Sequence, residues 1–296
     1  MAAAILLSTG LDQAMGQDME PRAYSASPID LNFLIASYLR TTGSVSLDPS
    51  LPITGVKASI NTFSLGYERT FDLFGRTASA AIVLPYFQAG LSGQVFGTGT
   101  QISRMGLGDL RLRLAANLLG NPALSPQQFA TRQPQTTLGA SLSVIAPSGD
   151  YDAAHLANIG SNRWAIKPEV GLSQPMGDWF ADAAAGIWLF TANDNFLNGH
   201  SRTQNPLPVL QGHLGYNFRR GLWLAADATY LSGGETSIDG LPKHDAETAS
   251  RFGLTLSLPI SDGISAKLSW ASWLTARNGG NYDTIGLTLQ YRWFDP

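Results

Sequence analysis

An alternation of apolar and polar residues, which recurs along almost the whole chain from Leu31 onward, most constrains the fold. In one stretch Leu110, Leu112 and Leu114 alternate with Arg111 and Arg113. Because successive side chains of a β-strand point to opposite faces, this period predicts strands with one apolar and one polar face. We find twelve such segments, at 31–40, 60–71, 76–86, 107–118, 136–146, 163–174, 179–190, 207–218, 222–231, 250–259, 265–274 and 284–294.

The length of these segments and the composition of the chain limit the possible fold classes. Most segments hold 9–12 residues, whereas a tilted strand that crosses a bilayer needs about 9–11 and a soluble strand has about 5–6. Only 14 % of the 296 residues are charged, against about 25 % in a typical soluble domain. A soluble enzyme with an apolar core and a soluble periplasmic β-protein remain alternatives to a membrane barrel.

The connections and the aromatic residues favour the barrel. Short links at 72–75, 175–178, 219–221 and 260–264 alternate with longer polar ones at 41–59, 87–106, 147–162, 191–206 and 232–249, as periplasmic turns and extracellular loops do. One link, 119–135, is long where a short turn is expected, and Ser125 before Pro126 predicts a helical turn there. Two membrane-interface girdles are predicted from aromatic residues in the apolar phase: Phe71, Trp179, Phe218 and Trp293 at the short-turn end, and Tyr86, Trp164 and Tyr230 at the other.

The sequence therefore predicts an all-β protein, a 12-stranded antiparallel transmembrane β-barrel of the bacterial outer-membrane type, over residues 31–294. Residues 1–17 resemble a signal-peptide remnant, with small residues before Gln17 but no basic start, and a disordered tail is the alternative. Residues 18–30 are expected to form a periplasmic segment. The absence of cysteine is compatible with an oxidising compartment. Alternate apolar residues that lead to Trp293 predict that the barrel-assembly machinery recognises the last strand, although three residues follow it.

Several segments resemble a known family. They are GYERTFDLFGR at 66–76, GLGDLRLR at 106–113 and NRWAIKPE at 162–169, and the stretches at 189–196 and 291–294 fit as well. They are similar to the MetA-pathway of phenol degradation family, over roughly residues 22–294. The resemblance implies an outer-membrane barrel that transports compounds linked to aromatic catabolism. The motifs are structural, so the resemblance implies no catalytic residues.

The polar phase of the strands is expected to line the lumen. The predicted pore-lining residues are Arg40, Glu68, Asp109, Arg111, Arg113, Arg163, Lys167, Glu169, Asp182, His213, Arg219, Asp227, Arg251, Lys267 and Arg292. Nine are basic and five acidic, although the whole chain has a net charge of −3, so the lumen is expected to be mildly basic and to favour anions. The alternative is that Arg and Lys pair with carboxylates and hold the lumen closed, for example Asp109 with Arg111 and Lys167 with Glu169.

The barrel and its polar lumen predict a channel for passive uptake of small solutes. The family resemblance implies that aromatic or hydrophobic carbon sources are among them. The expected partners are outer-membrane lipid and a small-molecule solute. A nucleic acid is not expected, because the chain lacks the excess of basic residues that binding it requires. A structural or lipid-modifying enzymatic barrel with a plugged lumen is the alternative. Catalysis has little support, because His213 faces the lumen rather than lipid while the other histidines lie in predicted loops. No cofactor or metal is expected, and Asp150, Asp152 and 193–195 favour turn chemistry over a Ca²⁺ site.

Overall fold

Hydrogen-bonded strand pairs close into a ring in the computed structural model, which describes residues 20–46, 53–95, 98–155, 157–277 and 279–295. In chain order the strands are β1 (Leu31–Ser46), β2 (Ile53–Leu73), β3 (Arg76–Val95), β4 (Thr98–Leu107), β5 (Leu110–Leu119), β6 (Thr137–Ala146), β7 (Ala165–Met176), β8 (Trp179–Phe190), β9 (Asn193–Phe196), β10 (His200–Gln204), β11 (Leu207–Arg219), β12 (Leu222–Gly233), β13 (Thr236–Ile238), β14 (Leu241–Pro242), β15 (Glu247–Ser261), β16 (Ile264–Arg277) and β17 (Gly279–Phe294). The predicted signal-peptide remnant at 1–17 lies outside the described residues.

A single antiparallel sheet of thirteen strands forms the barrel wall. β4 and β5 pair with successive parts of β3 and share one place in the ring, so the wall has twelve positions. β17 pairs with β1 from Leu31↔Phe294 to Ser46↔Gly279, which closes the ring. Closure removes the free edges of the sheet. The predicted 12-stranded antiparallel barrel is confirmed.

The apolar face of the strands points outward. On β7, Val170 and Leu172 are 54 % and 40 % exposed, whereas Lys167, Glu169 and Ser173 are buried. A soluble sheet would bury its apolar face instead. The side-chain pattern therefore matches a wall with hydrocarbon outside and polar groups inside.

The predicted girdle residues all lie in the outward phase of the alternation. Trp179 and Phe218 both pack on Tyr216, with ring centroids 5.0 and 5.1 Å apart. At the same end of the barrel, Trp293 packs on Tyr291 with ring centroids 5.4 Å apart. Tyr86 lies in mid-strand rather than at a strand end, because β3 continues beyond it to Val95.

The strands extend further at the long-loop end than the alternation predicts. Most of the predicted loops at 41–59 and 87–106 are continuations of β1 to β4. β9, β10, β13 and β14 form a separate four-stranded sheet from the predicted loops at 191–206 and 232–249. The outward-facing residues of the β1 to β4 extensions are mostly polar, so they give no membrane-strand signal.

The opposite end of the barrel has short turns. Phe74 and Gly75 join β2 to β3 with φ of 52° and 78°, the left-handed pair that a two-residue hairpin of this type requires. The long link there contains the predicted helical turn as α1 (Pro126–Ala130), where the Ser125 and Gln128 side chains each accept from the other's backbone N–H. Within the described ranges, no helix is long and apolar enough to cross a membrane.

A charge on the outward face tests this orientation. Leu214 lies in the middle of β11 and is 49 % exposed. We expect Leu214→Arg to reduce the free energy of unfolding in lipid vesicles by about 2–4 kcal/mol, because the guanidinium would lie in hydrocarbon. Urea titration followed by tryptophan fluorescence measures the loss.

Leu241→Arg is the matched control for this substitution. Leu241 is also exposed, but it lies on β14, in the small sheet outside the barrel wall. Its substitution is expected to change stability by less than about 0.5 kcal/mol. Equal effects of the two substitutions would contradict the outward orientation of the apolar face.

Candidate functional site in the barrel lumen

The segment before β1 runs into the lumen from the short-turn end. We call residues 20–30 the N-terminal insert. It is anchored near β1, where Asp30 N–H donates to the Thr70 carbonyl at 3.1 Å and the Thr70 hydroxyl donates to the Pro28 carbonyl at 2.8 Å. The Asn121 amide donates to the Ser27 carbonyl at 3.2 Å. The described part of the predicted 18–30 segment therefore contacts the barrel itself.

Tyr24 is deeply buried, at 4 % exposure, against the wall formed by β6 and β7. Its hydroxyl donates to Glu169 Oε1 at 2.8 Å and lies 2.8 Å from Ser141 Oγ. Its ring rests on Gly139 and Gly171, where an added Cβ would lie 2.6 and 2.1 Å from ring carbons. Burial raises the pKa of Tyr24 to about 12, so the phenol remains a hydrogen-bond donor at neutral pH.

Arg22 makes the second set of contacts between the insert and the lumen wall. We call the wall positions that hold Tyr24 and Arg22 the two seats of the insert. Its backbone N–H donates to Asp182 Oδ2 at 2.8 Å, and its guanidinium donates to Asn217 Oδ1 at 2.7 Å. The guanidinium carbon also lies 4.3 Å from the Phe180 ring centroid and 5.4 Å from that of Trp223. Burial lowers the pKa of Arg22, and the charge of Asp182 opposes this shift. The two seats together fix the insert against five strands, β6, β7, β8, β11 and β12.

Several polar and charged side chains in the middle of the lumen are paired. Lys167 Nζ lies 2.9 Å from Glu169 Oε2, and both side chains are 7 % exposed. His213 Nδ1 lies 2.7 Å from Asp227 Oδ1, and Thr255 donates to the other carboxylate oxygen at 2.7 Å. Contacts of this kind form a closed polar lattice along the lumen wall. Each buried charge in it has a partner that offsets the cost of its desolvation.

Two inward cations, one of them Lys167 itself, lie against aromatic rings nearer the long-loop end. Arg163 is 4.5 Å from the Phe190 ring centroid, and Lys167 is 5.3 Å from that of Trp188. Cation–π contacts of this kind strengthen where water is excluded. They mark the boundary between the polar middle of the lumen and an apolar zone beyond it.

The inward face at the long-loop end carries two clusters of buried apolar residues, and we call this zone the lumen belt. Ala157 and Ile159, from the 147–162 loop, pack into it, and Trp273 contacts both of its buried clusters. The wall residues of the belt are Val56, Ala58, Ile60, Phe87, Ala89, Leu91, Ile102, Ile145, Ala165, Trp188, Phe190, Leu207, Val209, Leu231, Ala249, Trp273 and Tyr282.

Arg40 lies on the outward face, which corrects its predicted place in the lumen. It follows Leu34, Ala36 and Tyr38 in the exposed phase of β1. Its guanidinium donates to Asn61 Oδ1 at 3.1 Å. The alternation misleads here because both faces of β1 carry apolar residues, so polarity does not distinguish inside from outside.

Asp109 also differs from its predicted place on a continuous strand. It lies in the break between β4 and β5, 1 % exposed. It accepts from Gly149 N–H, Ser161 N–H and the Ser161 hydroxyl at 2.8, 2.8 and 2.6 Å. Its carboxylate therefore anchors the 147–162 loop to the wall.

The remaining predicted residues fall into three groups. Arg163 lies just before β7. Arg219 and Arg292 lie exposed at the short-turn end, where a bulge between Asn217 and Arg219 interrupts the alternation. The others are in the inward phase of their strands: Glu68, Arg111, Arg113, Lys167, Glu169, Asp182, His213, Asp227, Arg251 and Lys267.

Sequence reasoning misses both the insert and the lumen belt. A signal for the insert exists in the inward-facing glycines Gly139 and Gly171, which leave room for a ring against the wall. Much of the belt lies in stretches that the alternation assigns to loops, including Val56, Ala89 and Leu91. Their own alternation becomes visible only once the strands are known to continue beyond the membrane.

A closed antiparallel barrel with an apolar exterior, a partly polar interior and short turns at one end is a bacterial outer-membrane protein in its fold and surface. The chain matches, over residues 42–289, the model of a family described provisionally as the MetA pathway of phenol degradation. Because the match spans most of the sequence, the protein belongs to this family, as the resemblance predicted.

Solved structures agree on the fold. The COG4313 outer membrane channel from Pseudomonas putida F1 is similar with a TM-score of 0.80 at 22 % identity, over 93 % of this chain and 100 % of that one. The transport unit of the autotransporter AIDA-I from Escherichia coli gives 0.51 at 10 % identity, over 93 % and 92 %. The TodX monoaromatic hydrocarbon channel, as its deltaS2 mutant, gives 0.50 at 11 % identity, over 94 % and 93 %. No curated protein matches the sequence significantly.

Removing the Tyr24 hydroxyl tests the seating of the insert. Tyr24→Phe keeps the ring on its glycines but deletes the hydrogen bonds to Ser141 and Glu169. We expect this to weaken seating by about 1.5–3 kcal/mol, which is roughly a tenfold to hundredfold shift toward the unseated insert. Limited proteolysis of the N-terminus in the folded barrel measures the shift.

Tyr38→Phe is the matched control, because Tyr38 donates to Asn61 Oδ1 at 2.9 Å on the outward face, away from the insert. The N-terminus of the Tyr38→Phe variant should be as well protected from proteolysis as that of the unsubstituted protein. If Tyr24→Phe leaves the N-terminus equally protected, the Tyr24 seat does not hold the insert.

Proposed function

We propose that the protein is a passive outer-membrane channel for small apolar solutes, aromatic compounds in particular. The observation that carries this proposal is the lumen belt, an apolar and aromatic lining at the long-loop end, where solute enters. Apolar solutes gain on the order of 25 cal/mol for each Å² that they withdraw from water. The names of two structural neighbours, an outer membrane channel and a monoaromatic hydrocarbon channel, support the same class of function.

The inner boundary of the belt gives such a solute a polar contact. Arg163 and Lys167 lie over the rings of Phe190 and Trp188, so a ring that leaves the belt meets a cation at the next step. This arrangement suits phenolate or carboxylate groups, whose negative charge Arg and Lys bind. Because Lys167 is already paired with Glu169, we expect a weaker preference for anions than the count of basic residues alone would give.

The insert occupies the second half of the path. Arg22 and Tyr24 lie against the lumen wall on the side of the short turns, and their hydrogen bonds and ring contacts hold them there. A solute that has crossed the belt therefore passes beside the insert or displaces it. Diffusion down a concentration gradient supplies the driving force in either case.

We further propose that the protein has no catalytic role. His213 and Asp227 pair as a base and its orienting carboxylate would, but Thr255 donates to Asp227 rather than to His213. In a catalytic triad the hydroxyl contacts the base, and the base contacts the carboxylate. Here the hydroxyl contacts the carboxylate instead. Ester hydrolysis by the purified protein that disappears in His213→Ala would contradict this part of the proposal.

We also propose that the barrel-assembly machinery recognises β17. Its outward face carries five large apolar residues in alternation: Ile285, Leu287, Leu289, Tyr291 and Trp293. β17 forms the closing seam with β1, so it is the strand that must be held until the ring closes.

Polar substitutions in the belt test the proposed function. Val209 and Leu231 lie side by side on β11 and β12 and are 6 % and 8 % exposed. Val209→Thr with Leu231→Thr places hydroxyls in the apolar lining, which makes this surface less favourable for a ring that leaves water. We expect initial uptake of radiolabelled phenol and naphthalene by intact Gram-negative cells that produce the protein to fall several-fold.

Intact cells are needed because phospholipid vesicles admit such solutes without a channel. Val170→Thr with Leu172→Thr is the matched control, since both residues are exposed on the outward face of β7, and it should leave uptake unchanged. If cells with the unsubstituted protein take up no more solute than cells that lack it, the barrel is a plugged structural one.

A further inference from the structure

The outward face of β1 to β4 changes from apolar to polar beyond a row of aromatic residues. Tyr38, Phe63 and Tyr86 stand side by side across β1, β2 and β3, and the Tyr38 and Phe63 ring centroids are 5.0 Å apart. This row has the place of an interfacial girdle, where aromatic rings meet the polar part of the membrane. Hydrocarbon therefore ends at or just beyond this row.

The next three rows toward the long-loop end are polar. Nearly every side chain in them is a cation, an amide or a hydroxyl, and among the described outward-facing residues of these rows on β1 to β4 no carboxylate occurs. The neighbouring acid is Asp283 of β17, which pairs with Thr42. In order from the girdle, the rows are Arg40, Asn61, Gln88 and Met105; Thr42, Ser59, Gly90 and Ser103; and Ser44, Lys57, Ser92 and Gln101.

A surface cleft of about 490 Å³ lies in these rows. Arg40 and Lys57 both line it, together with Ser44, Ser59 and Gln101. Lys57 pairs with Ser44, which is four residues from Arg40, so the Cα atoms of the two basic residues are about 13 Å apart along the sheet. Long side chains can reach a ligand between them or contact two anionic groups of one ligand.

The base of the cleft is held in place by its neighbours. The Asn61 amide oxygen accepts from both the Tyr38 hydroxyl, at 2.9 Å, and the Arg40 guanidinium, at 3.1 Å. These bonds connect the girdle to the first cation and leave other guanidinium N–H groups for a ligand, since the group has five. Guanidinium groups bind phosphate oxygens well because two N–H donors fit two oxygens.

We propose that this cleft binds the phosphate groups of a phosphorylated glycolipid in the outer leaflet. The phosphates lie at Arg40 and Lys57, sugar hydroxyls and amides contact the Ser and Gln side chains, and acyl chains run down over Tyr38 and Phe63. The cleft opens on the outside of the wall, so it is separate from the lumen. A free phosphate would use the cations but would gain nothing from the adjoining aromatic row.

Binding of bisphosphorylated lipid A to the purified barrel in detergent tests the proposal. Native mass spectrometry gives the Kd for lipid A, for phosphatidylethanolamine and for inorganic phosphate as a competitor. We expect lipid A to bind the unsubstituted protein more tightly than phosphatidylethanolamine does. Arg40→Gln with Lys57→Gln should weaken lipid A binding by about tenfold or more, because two charge-assisted contacts are lost.

Arg76→Gln with Arg220→Gln is the matched control. Both residues are exposed at the short-turn end, and this variant loses the same two positive charges. Unchanged binding in this control supports the site at the cleft, whereas equal weakening in both variants would reduce the effect to net charge and overturn the proposal.

Two further outcomes would overturn the proposal. One is lipid A binding that is unaffected by Arg40→Gln with Lys57→Gln while the protein keeps its strand content by circular dichroism. The other is displacement of lipid A by inorganic phosphate at equal concentration, which would make the cleft a site for free phosphate.

Discussion

No backbone N–H or C=O group can be left unpaired in hydrocarbon, and the rest of the structure depends on this constraint. The β1–β17 seam satisfies it, with paired residues along the whole of both strands. Once the ring is closed, the period of two along each strand assigns every side chain to lipid or to lumen. Outward Leu and Val then interact with hydrocarbon, and inward polar residues are free to pair with one another or with solute.

The lumen that results has two unlike halves. On the side of the short turns the insert fills part of the space, and on the side of the long loops the wall carries the apolar clusters of the belt. The paired Lys167 and Glu169, and the His213–Asp227–Thr255 contacts, lie between these halves. Much of the inward charge thus holds the wall and the insert, and the proposed function therefore assigns the recognition of solutes to the belt.

The fold can be predicted from the sequence because hydrocarbon imposes a simple rule on every membrane-facing position. Beyond the membrane that rule ends, so the alternation assigns Val56 and Leu91 to loops although they lie on strands. The rule also fails on β1, because both faces of this strand are apolar. Polarity therefore predicts that Arg40 faces the lumen, whereas it lies on the outward face. The seat of Tyr24 depends on space above Gly139 and Gly171, which is a property of packing rather than of local sequence.

The orientation of the wall can be measured directly because the chain contains no cysteine, so one introduced cysteine reports one position. Fluorophores attached at Val170→Cys and Leu172→Cys, in the outward phase of β7, should be quenched by brominated acyl chains of the surrounding lipid. A fluorophore at Ser173→Cys, which is inward, should be unaffected. Quenching at 173 with none at 170 and 172 would mean that inside and outside are exchanged, and the account of the lumen would then fail.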